Sequence, residues 1–331
     1  MSLPLDLIRT LEQAQPKDAW EAIQAHAWQI CSVPITANNP VTEVLARDRS
    51  LGDVDHFLAT ACWDLWNDYE AAVPRTSEVL ANWWAAHSPG RAILILDAFS
   101  LREAPWILQE AQKRGFTVHH AHPTGAEIPA ETTPFARALG FSQRSSLTNN
   151  EAGKTHVFSG ACTDSVDIAW EDCANLIGSE PDWVFWHHWP DHRIHDHDDP
   201  GKGLQTLTLE AIVHLTGDAF WSLVDRLAMG RRLIITADHG YAASGLFTDT
   251  NKEQSEYLKN IYKSGRSIRS NQDVGAWVPP IDLAIISAHG RHLFVNGRRK
   301  WKSQGGYPTL THGGLSILEV AVPFIEISRT I

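Results

Sequence analysis

The spacing of apolar residues separates an N-terminal part of this 331-residue chain from the rest. From about residue 4 to 87, apolar residues recur every three to four positions, as in Ala19 to Ile30 and Val54 to Tyr69, which predicts amphipathic helices. Prolines and asparagines near residues 34–40 separate two of these stretches, because such residues favour turns. The pattern therefore predicts a helical N-terminal region over residues 1–88.

Beyond Ser88-Pro89-Gly90, short apolar runs alternate with longer amphipathic stretches, which is typical of βαβ units and a mostly parallel sheet. Four strands are predicted, at Ala92–Leu96, Phe116–His120, Trp183–Trp186 and Leu233–Thr236. Two helices are predicted, at Glu103–Lys113 and Thr206–Met229. We therefore expect an α/β domain over residues 89–331, with helices flanking the sheet.

Residues 241–307 interrupt this alternation and read as irregular. They contain Pro279-Pro280 and a run from Leu293 to Arg298 that carries an Asn-Gly pair, a combination that favours a tight hairpin turn. We expect an inserted cap or flap here.

Composition narrows the functional classes. With 28 basic and 39 acidic side chains, the formal net charge of −11 disfavours a protein that coats nucleic acid by bulk electrostatics. The chain starts without a basic segment followed by an apolar run, and no apolar stretch approaches membrane-spanning length, so we expect a cytoplasmic protein without a membrane association. The four cysteines are widely spaced and indicate reduced core thiols: Cys31, Cys62, Cys162 and Cys173.

Carboxylates follow three of the predicted strands. Asp97 ends the first apolar run, Asp238 and His239 follow the fourth, and Asp191 follows the run at Trp183–Trp186. In open α/β sheets, ligands bind outside the carboxyl ends of the strands. We therefore expect these side chains to converge on one crevice.

These residue types suit two divalent metal ions. Asp191 and His195 share one face if their segment is helical, and His312, followed by two glycines, could complete that ion's ligands. The second ion would be held by Asp97, Asp238, His239 and a threonine oxygen. Carboxylate oxygens with imidazole nitrogens favour zinc, with manganese as the alternative, over magnesium.

A helix start is predicted within the segment from Glu131 to Arg137. A threonine at the N-cap and Pro134 at the first helical position are the signals. Because a helix N-terminus favours anions, this segment is a candidate phosphate contact.

Several of these motifs resemble the alkaline phosphatase superfamily. Thr236–Gly240 resembles its metal-binding strand end, and Asp191 with His195 resembles its other metal pair. The segment His312–Pro323 resembles the C-terminal motif of PglZ domains, a branch of that superfamily.

Two further motifs extend the likeness to PglZ domains. Leu96-Asp97 followed by Leu101–Glu103 resembles the first motif, although the spacing from the aspartate to Arg102 is longer here. Pro129–Arg137 resembles the nucleophile segment. All the motifs occur in the family's order over residues 91–325.

The resemblance implies an alkaline-phosphatase-like fold and a threonine nucleophile bound to one metal. A covalent phospho-enzyme would form, and a water on the other metal would complete hydrolysis; two ions about 4 Å apart can stabilise both the attacking and the leaving oxygen. Thr133 is favoured as the nucleophile, because it keeps the spacing to Arg137 and precedes Pro134, whereas Thr132 keeps the spacing from Pro129.

Positive residues are the candidate substrate contacts. Arg102 and Arg137 stand within the resembling motifs, and Arg298 and Arg299 belong to a basic run that could reach phosphates beyond the scissile one. Trp301 could stack on a base, as in single-strand binders, or the run could be a solvated hairpin tip.

PglZ domains are associated with phage defence, and some similar domains hydrolyse oligonucleotides. The favoured function is therefore a phosphodiesterase or nuclease acting on a phosphate ester such as an oligonucleotide or cyclic nucleotide. The alternatives are a phosphomonoesterase, sulfatase or phosphomutase, and a non-catalytic subunit that docks protein partners of a phage-defence complex through its helical region. Each residue alone has a simpler interpretation, because strand-end aspartates and threonines often only cap turns and helices.

Overall fold

The computed structural model describes residues 3–36, 38–151, 153, 155–195, 203–243, 248–302 and 310–329. The helices are α1 Leu5–Gln13, α2 Pro16–Cys31, α3 Pro40–Thr60, α4 Tyr69–Ala72, α5 Thr76–Ala86, α6 Ala104–Lys113, α7 Thr132–Ala138, α8 Trp170–Cys173, α9 Asp191–His195, α10 Gly203–Thr216, α11 Asp218–Ala228, α12 Lys252–Tyr262 and α13 Ile317–Val320, with 3₁₀ turns at Trp63–Asp68, Arg144–Asn150 and Ala174–Leu176. The strands are β1 Arg91–Leu96, β2 Phe116–Gly125, β3 Cys162–Val166, β4 Asp182–His187, β5 Arg232–Thr236, β6 Ala242–Ala243, β7 Thr248–Asp249, β8 Ser267–Arg269, β9 Asp282–Ser287, β10 Gly290–Val295, β11 Arg299–Lys300, β12 Leu310–Thr311 and β13 Ala321–Arg329.

A six-stranded, mostly parallel sheet forms the centre, in the order β2-β13-β5-β1-β4-β3. Only β13 runs antiparallel to its neighbours, β2 and β5. The predicted α/β class with a mostly parallel sheet flanked by helices is confirmed. Because β13 begins at the edge where the parallel strands end, the segment before it also reaches that edge.

The central strands are apolar because helices cover both faces of the sheet. Along β1, Leu94 packs into a core with residues such as Leu51 of α3, whereas Ile95 packs into a second core with residues such as Phe135 of α7. Alternate side chains of a strand point to opposite faces, so a strand buried on both faces reads as one continuous apolar run. The helices of the N-terminal region therefore contribute to the core of the sheet, and the division at residue 88 stays a prediction.

The four predicted strands are present, and β2 extends five residues beyond the predicted end at His120. The single helix predicted over Thr206–Met229 is wrong: α10 and α11 meet at Gly217, whose backbone is extended. A Cβ at Gly217 would lie 2.7 Å from the carbonyl oxygen of Val213, so the sequence places glycine where the chain turns tightly.

The segment 241–307 is more regular than its sequence suggested. Strands β8, β10 and β9 form an antiparallel sheet, and α12 packs with it around residues such as Leu258 and Leu293. The predicted hairpin at Asn296-Gly297 is wrong, because the hairpin turn lies between β9 and β10. Gly297 instead adopts a φ of +70° and turns the chain towards β11. Residues 244–247 and 303–307 of the predicted insertion lie outside the described residues.

Among the described residues, no helix combines the length and apolarity needed to cross a membrane.

Candidate metal centre

Four acidic or imidazole side chains meet at the carboxyl ends of the central strands. Asp97 follows β1, Asp191 lies beyond β4, and Asp238 and His239 follow β5. Backbone hydrogen bonds hold the first two loops together: the Asp97 N–H donates to the His187 oxygen at 3.0 Å, and the Asp191 N–H donates to the Asp97 oxygen at 3.1 Å. Asp97, Asp238 and His239 are fully buried.

The cluster contains two groups of three ligands that share Asp191. In one group, Nε2 of His312 and Nε2 of His195 lie 3.4 Å and 3.5 Å from Oδ1 of Asp191. In the other, Asp97 and His239 join Asp191, and Nε2 of His239 lies 3.7 Å from Oδ1 of Asp97. The first group matches the predicted ligand set, whereas the second includes Asp191 as a shared ligand.

Asp238 adjoins the second group. Its Oδ1 accepts from the Ala98 N–H at 2.9 Å, and its Oδ2 lies 3.4 Å from Nε2 of His239. Neither Asp238 Oδ2 nor His239 Nε2 has a hydrogen-bond partner, although both are buried. A buried polar atom left unpaired costs about 1–3 kcal/mol, and a bound ion is one of the explanations such an atom calls for.

The imidazoles are oriented as metal ligands usually are. Nδ1 of His239 lies 2.9 Å from the Gly240 oxygen, and Nδ1 of His312 lies 3.3 Å from the Ala130 oxygen. A ring nitrogen that donates to a carbonyl leaves the other nitrogen as an acceptor, which can bind a cation. The ligand types, carboxylate oxygen with imidazole nitrogen, fit a divalent ion such as zinc. The residues therefore fit the predicted metal, although its identity stays a prediction.

Charge accumulates in this buried space. Burial raises the pKa of Asp97 well above its usual value, and Asp238 and Asp191 raise it further. Burial alone would lower the pKa of His239, but the carboxylates of Asp238 and Asp97 outweigh that effect and raise it to about 9. Burial and the nearby His239 lower the pKa of His312 to about 3. Divalent cations would neutralise the clustered carboxylates and hold the imidazoles neutral.

A strained turn at Ala98 positions the carboxylates of Asp97 and Asp238. Ala98 has a φ of +61°, in the left-handed region that residues with a Cβ rarely adopt. Such a conformation costs on the order of 1–3 kcal/mol and persists where the surroundings enforce it, often at functional sites. Here the strained residue donates its N–H to Asp238, which fixes Asp238 beside Asp97.

Glycines and a buried ion pair position His312. Gly313 has a φ of +94°, and the N–H of Gly314 donates to Oε1 of Glu319 at 2.8 Å. Glu319 is buried and also pairs with Arg266 at 2.8 Å. A Cβ on Gly314 would lie 2.6 Å from Nε of Arg266, so the pair leaves room only for glycine. The sequence contains no local signal that Glu319 and Arg266 would meet.

The two candidate nucleophiles occupy different environments. The hydroxyl of Thr132 donates to Oδ1 of Asp97 at 3.3 Å, whereas Thr133 is exposed. Helix α7 begins at Thr132, with Glu131 at the N-cap, so the prediction of a threonine N-cap followed by proline is wrong. Pro134 is the third helical residue rather than the first. With the helix beginning at Thr132, it is the side chain of Thr132 that contacts the cluster.

Three of the arginines predicted to contact the substrate are buried and form ion pairs or hydrogen bonds within the fold. Arg102 is fully buried, and its Nη2 lies 2.7 Å from Asp48 of α3. Arg298 is also buried and pairs with Asp48 at 3.0 Å and with Asp55 at 2.6 Å. Arg299 is mostly buried and donates to the Asn296 oxygen. These placements speak against contact with a substrate at the metal cluster, because carboxylates distant in sequence neutralise the first two arginines.

The remaining predicted contacts also lie elsewhere. Arg137 is exposed and lines a surface cleft with Glu127 and His289, a cleft to which the metal-binding groups do not contribute. Trp301 is buried and donates its Nε1–H to the Lys263 oxygen at 2.8 Å, so its ring is not available to stack on a base.

One positively charged residue at the cluster, Arg144, was not predicted from the sequence. The guanidinium of Arg144 pairs with Oδ2 of Asp97, which also accepts from Nε1 of Trp186 at 3.1 Å. The Arg144 side chain is 25% exposed, so it lies between the buried cluster and solvent. Arg144 opens a 3₁₀ turn 47 residues beyond Asp97 and belongs to no recognised motif.

No protein-family model matches this chain, and no curated protein matches it. The geometry of the cluster and the motif resemblance therefore carry the functional proposal.

Proposed function

We propose that this chain is a metal-dependent phosphoester hydrolase, and within that class a phosphodiesterase. The observation that carries the proposal is the pair of ligand groups sharing Asp191, with the hydroxyl of Thr132 on the carboxylate of Asp97. A nucleophile beside two adjacent cation sites is the arrangement that an in-line displacement at phosphorus requires.

Each ligand has a place in this scheme. Asp191, His195 and His312 would hold one divalent cation, and Asp97, His239 and Asp238 would hold the other, with Asp191 beside both. When bound, the cations supply Lewis-acid stabilisation of the phosphoryl charge and lower the pKa of a nearby hydroxyl. Zinc is the expected metal, with manganese as the alternative.

Thr132 is the proposed nucleophile in place of Thr133. Its Oγ1 passes its proton to Oδ1 of Asp97 and attacks phosphorus, so that a new O–P bond forms, the bond to the leaving-group oxygen breaks and the leaving group departs as its anion. A water then attacks phosphorus, the bond from phosphorus to Oγ1 breaks, and the threonine oxygen recovers the proton from Asp97, which releases a phosphate monoester as the second product. The hydrogen bond from Oγ1 to Asp97 orients the hydroxyl for this attack, whereas the exposed Thr133 has no described contact of this kind with the cluster.

Arg144 is the proposed phosphate contact in place of Arg102. Its guanidinium already lies at the mouth of the cluster, on Asp97. A guanidinium binds phosphate through two parallel hydrogen bonds, and a partly exposed one can exchange a carboxylate for a substrate.

The preference for a diester over a monoester rests on the PglZ resemblance. The burial of Arg298 and Trp301 removes the basic, aromatic surface that favoured an oligonucleotide.

Initial rates on three substrates test the proposal: bis-p-nitrophenyl phosphate, p-nitrophenyl phosphate and p-nitrophenyl sulfate. We expect the zinc-loaded protein to hydrolyse the diester fastest, and the variants Asp191→Asn and Thr132→Ala to fall to background. Thr133→Ala is the matched control and should retain the wild-type rate. Activity that survives in Thr132→Ala but not in Thr133→Ala would reassign the nucleophile. Metal binding without turnover of any ester would instead favour a non-catalytic subunit.

A further inference from the structure

Trp186 is a buried tryptophan whose indole N–H contacts the metal cluster. It is the fifth residue of β4 and lies beside Ile95 of β1 in the parallel sheet. Its side chain is fully buried, and its Nε1–H donates to Oδ2 of Asp97 at 3.1 Å. Most side-chain hydrogen bonds in proteins go to the backbone or to water, so a bond from a buried indole to the carboxylate of a candidate metal ligand is a specific arrangement.

The two oxygens of Asp97 have different partners. Oδ2 accepts from Trp186 and pairs with Arg144. Oδ1 accepts from the hydroxyl of Thr132 at 3.3 Å and lies 3.7 Å from Nε2 of His239. A carboxylate can bind a cation through one oxygen or through both. Because donors of the protein hold Oδ2, Oδ1 is the oxygen left for a cation and for the nucleophile.

Of the two groups on Oδ2, the indole is the fixed one. The Arg144 side chain is 25% exposed, whereas Trp186 is enclosed in the core that includes Ile95, Phe135 and Val184. Protein interiors are close-packed, so the ring cannot turn away without displacing its neighbours. Trp186 therefore determines the orientation of the Asp97 carboxylate.

The same ring packs against the helix that carries Thr132. The ring centroids of Trp186 and Phe135 lie 5.5 Å apart, and the ring planes meet at 82°, which is an edge-to-face contact. Phe135 is the fourth residue of α7, and Thr132 is the first. One side chain thus contacts both a carboxylate of the cluster and the helix that begins with the proposed nucleophile.

We propose that Trp186 is a positioning residue of the metal centre, which orients Asp97 through its indole N–H and leaves Oδ1 available to the cation and to Thr132. The inference rests on the proposed function, because it requires a cation at the group of Asp97, Asp191 and His239. Trp186 acts through Asp97 rather than on the substrate. Loss of a hydrogen-bond partner behind a metal ligand typically weakens metal binding by about 10–100-fold.

Zinc affinity, measured by competition with a chromophoric chelator, tests this role in Trp186→Phe. Phenylalanine keeps an aromatic ring in the core but has no N–H. We expect two zinc ions per chain in the wild type, and for one of them an affinity lowered by about 10–100-fold in Trp186→Phe. The other ion, at Asp191, His195 and His312, should keep nearly its wild-type affinity.

Trp221→Phe is the matched control. Trp221 is also fully buried, and its Nε1–H donates to the Leu215 oxygen at 2.7 Å. Its ring lies against Phe116 and Arg114, which do not belong to the cluster. The substitution removes a buried indole hydrogen bond but no partner of a metal ligand, so both zinc affinities should stay unchanged. Urea unfolding with chelator present checks that each variant is folded.

Indole N–H spectra of the wild type provide a measurement that does not depend on the folding of the variants. The chain has 14 tryptophans, and in an isotope-labelled protein each indole gives one N–H signal. A cation on Asp97 withdraws charge from the carboxylate and weakens the hydrogen bond from Trp186, so zinc should shift one signal to higher field. A zinc-saturated protein in which no indole N–H signal moves would overturn the proposal.

The outcomes separate this role from the metal centre itself. Wild-type zinc affinities in Trp186→Phe, or equal losses in Trp186→Phe and Trp221→Phe, would overturn the positioning role and leave the metal centre in place. A wild-type protein that binds no zinc would overturn the proposed metal-dependent function and, with it, this inference.

Discussion

Replacing Arg102 by methionine should destabilise the fold rather than weaken substrate binding. The guanidinium is fully buried and bonds to Asp48 at 2.7 Å and 3.0 Å, to the Tyr241 oxygen at 2.9 Å and to Oγ of Ser100 at 3.1 Å. Removing one partner of a buried ion pair costs about 3–5 kcal/mol, because the other charge is left without compensation. Asp48 keeps Arg298 at 3.0 Å, so we expect the lower end of that range, about 3 kcal/mol.

Urea unfolding followed by tryptophan fluorescence, with chelator present, measures this loss. A loss of about 3 kcal/mol corresponds to a melting temperature lower by roughly 4 °C in a chain of 331 residues. Arg9→Met is the matched control: Arg9 and its partner Asp6 are both exposed, so its loss should cost at most about 1 kcal/mol. Arg102→Met with wild-type stability and an altered KM alone would refute the structural role of Arg102.

Two further predictions concern the turns around the cluster. Burial raises the pKa of Glu103 to about 7 from its ordinary value of 4.5, so its stabilising contribution is complete below about pH 4.5 and is lost as the pH rises through 7. The difference, 7 − 4.5, corresponds to about 3 kcal/mol at most, and Glu103→Gln should flatten the pH dependence of the unfolding free energy over that interval; an unchanged slope would contradict it. Gly314→Ala places a Cβ 2.6 Å from Nε of Arg266 and should displace His312, lowering the zinc content from about two ions to about one per chain by mass spectrometry. Unchanged zinc content in a folded Gly314→Ala protein would contradict this. Gly265→Ala is the control, because a Cβ there makes only ordinary contacts, at 3.5 Å and 3.7 Å.

The strand positions could be predicted because a strand that is buried on both faces is a continuous apolar run in the sequence. The runs at Ala92–Leu96 and Leu233–Thr236 are apolar at almost every position, and the polar residues that follow them necessarily reach the same edge of a parallel sheet. The approach of Asp97, Asp191 and His239 follows from this rule, without any information on tertiary contacts.

The arginines could not be assigned from the sequence because their roles depend on distant partners. Arg102 and Arg298 look like available cations until α3 supplies Asp48 and Asp55, which precede them in the chain by 54 to 250 residues. Arg144 shows the reverse, since it belongs to no motif and reaches Asp97 only through the packing of its 3₁₀ turn. The start of α7 was equally ambiguous: the helix begins at Thr132, two residues before the predicted start at Pro134, and Thr132 rather than Thr133 contacts the cluster.

Titrating zinc into the chelator-treated protein while following hydrolysis of bis-p-nitrophenyl phosphate tests the central claim most directly. The two ligand groups sharing Asp191 predict a rate that rises from background and saturates near two zinc ions per chain. A rate that stays at background at every zinc concentration, or one that does not depend on zinc, would contradict the assignment of a metal-dependent hydrolase.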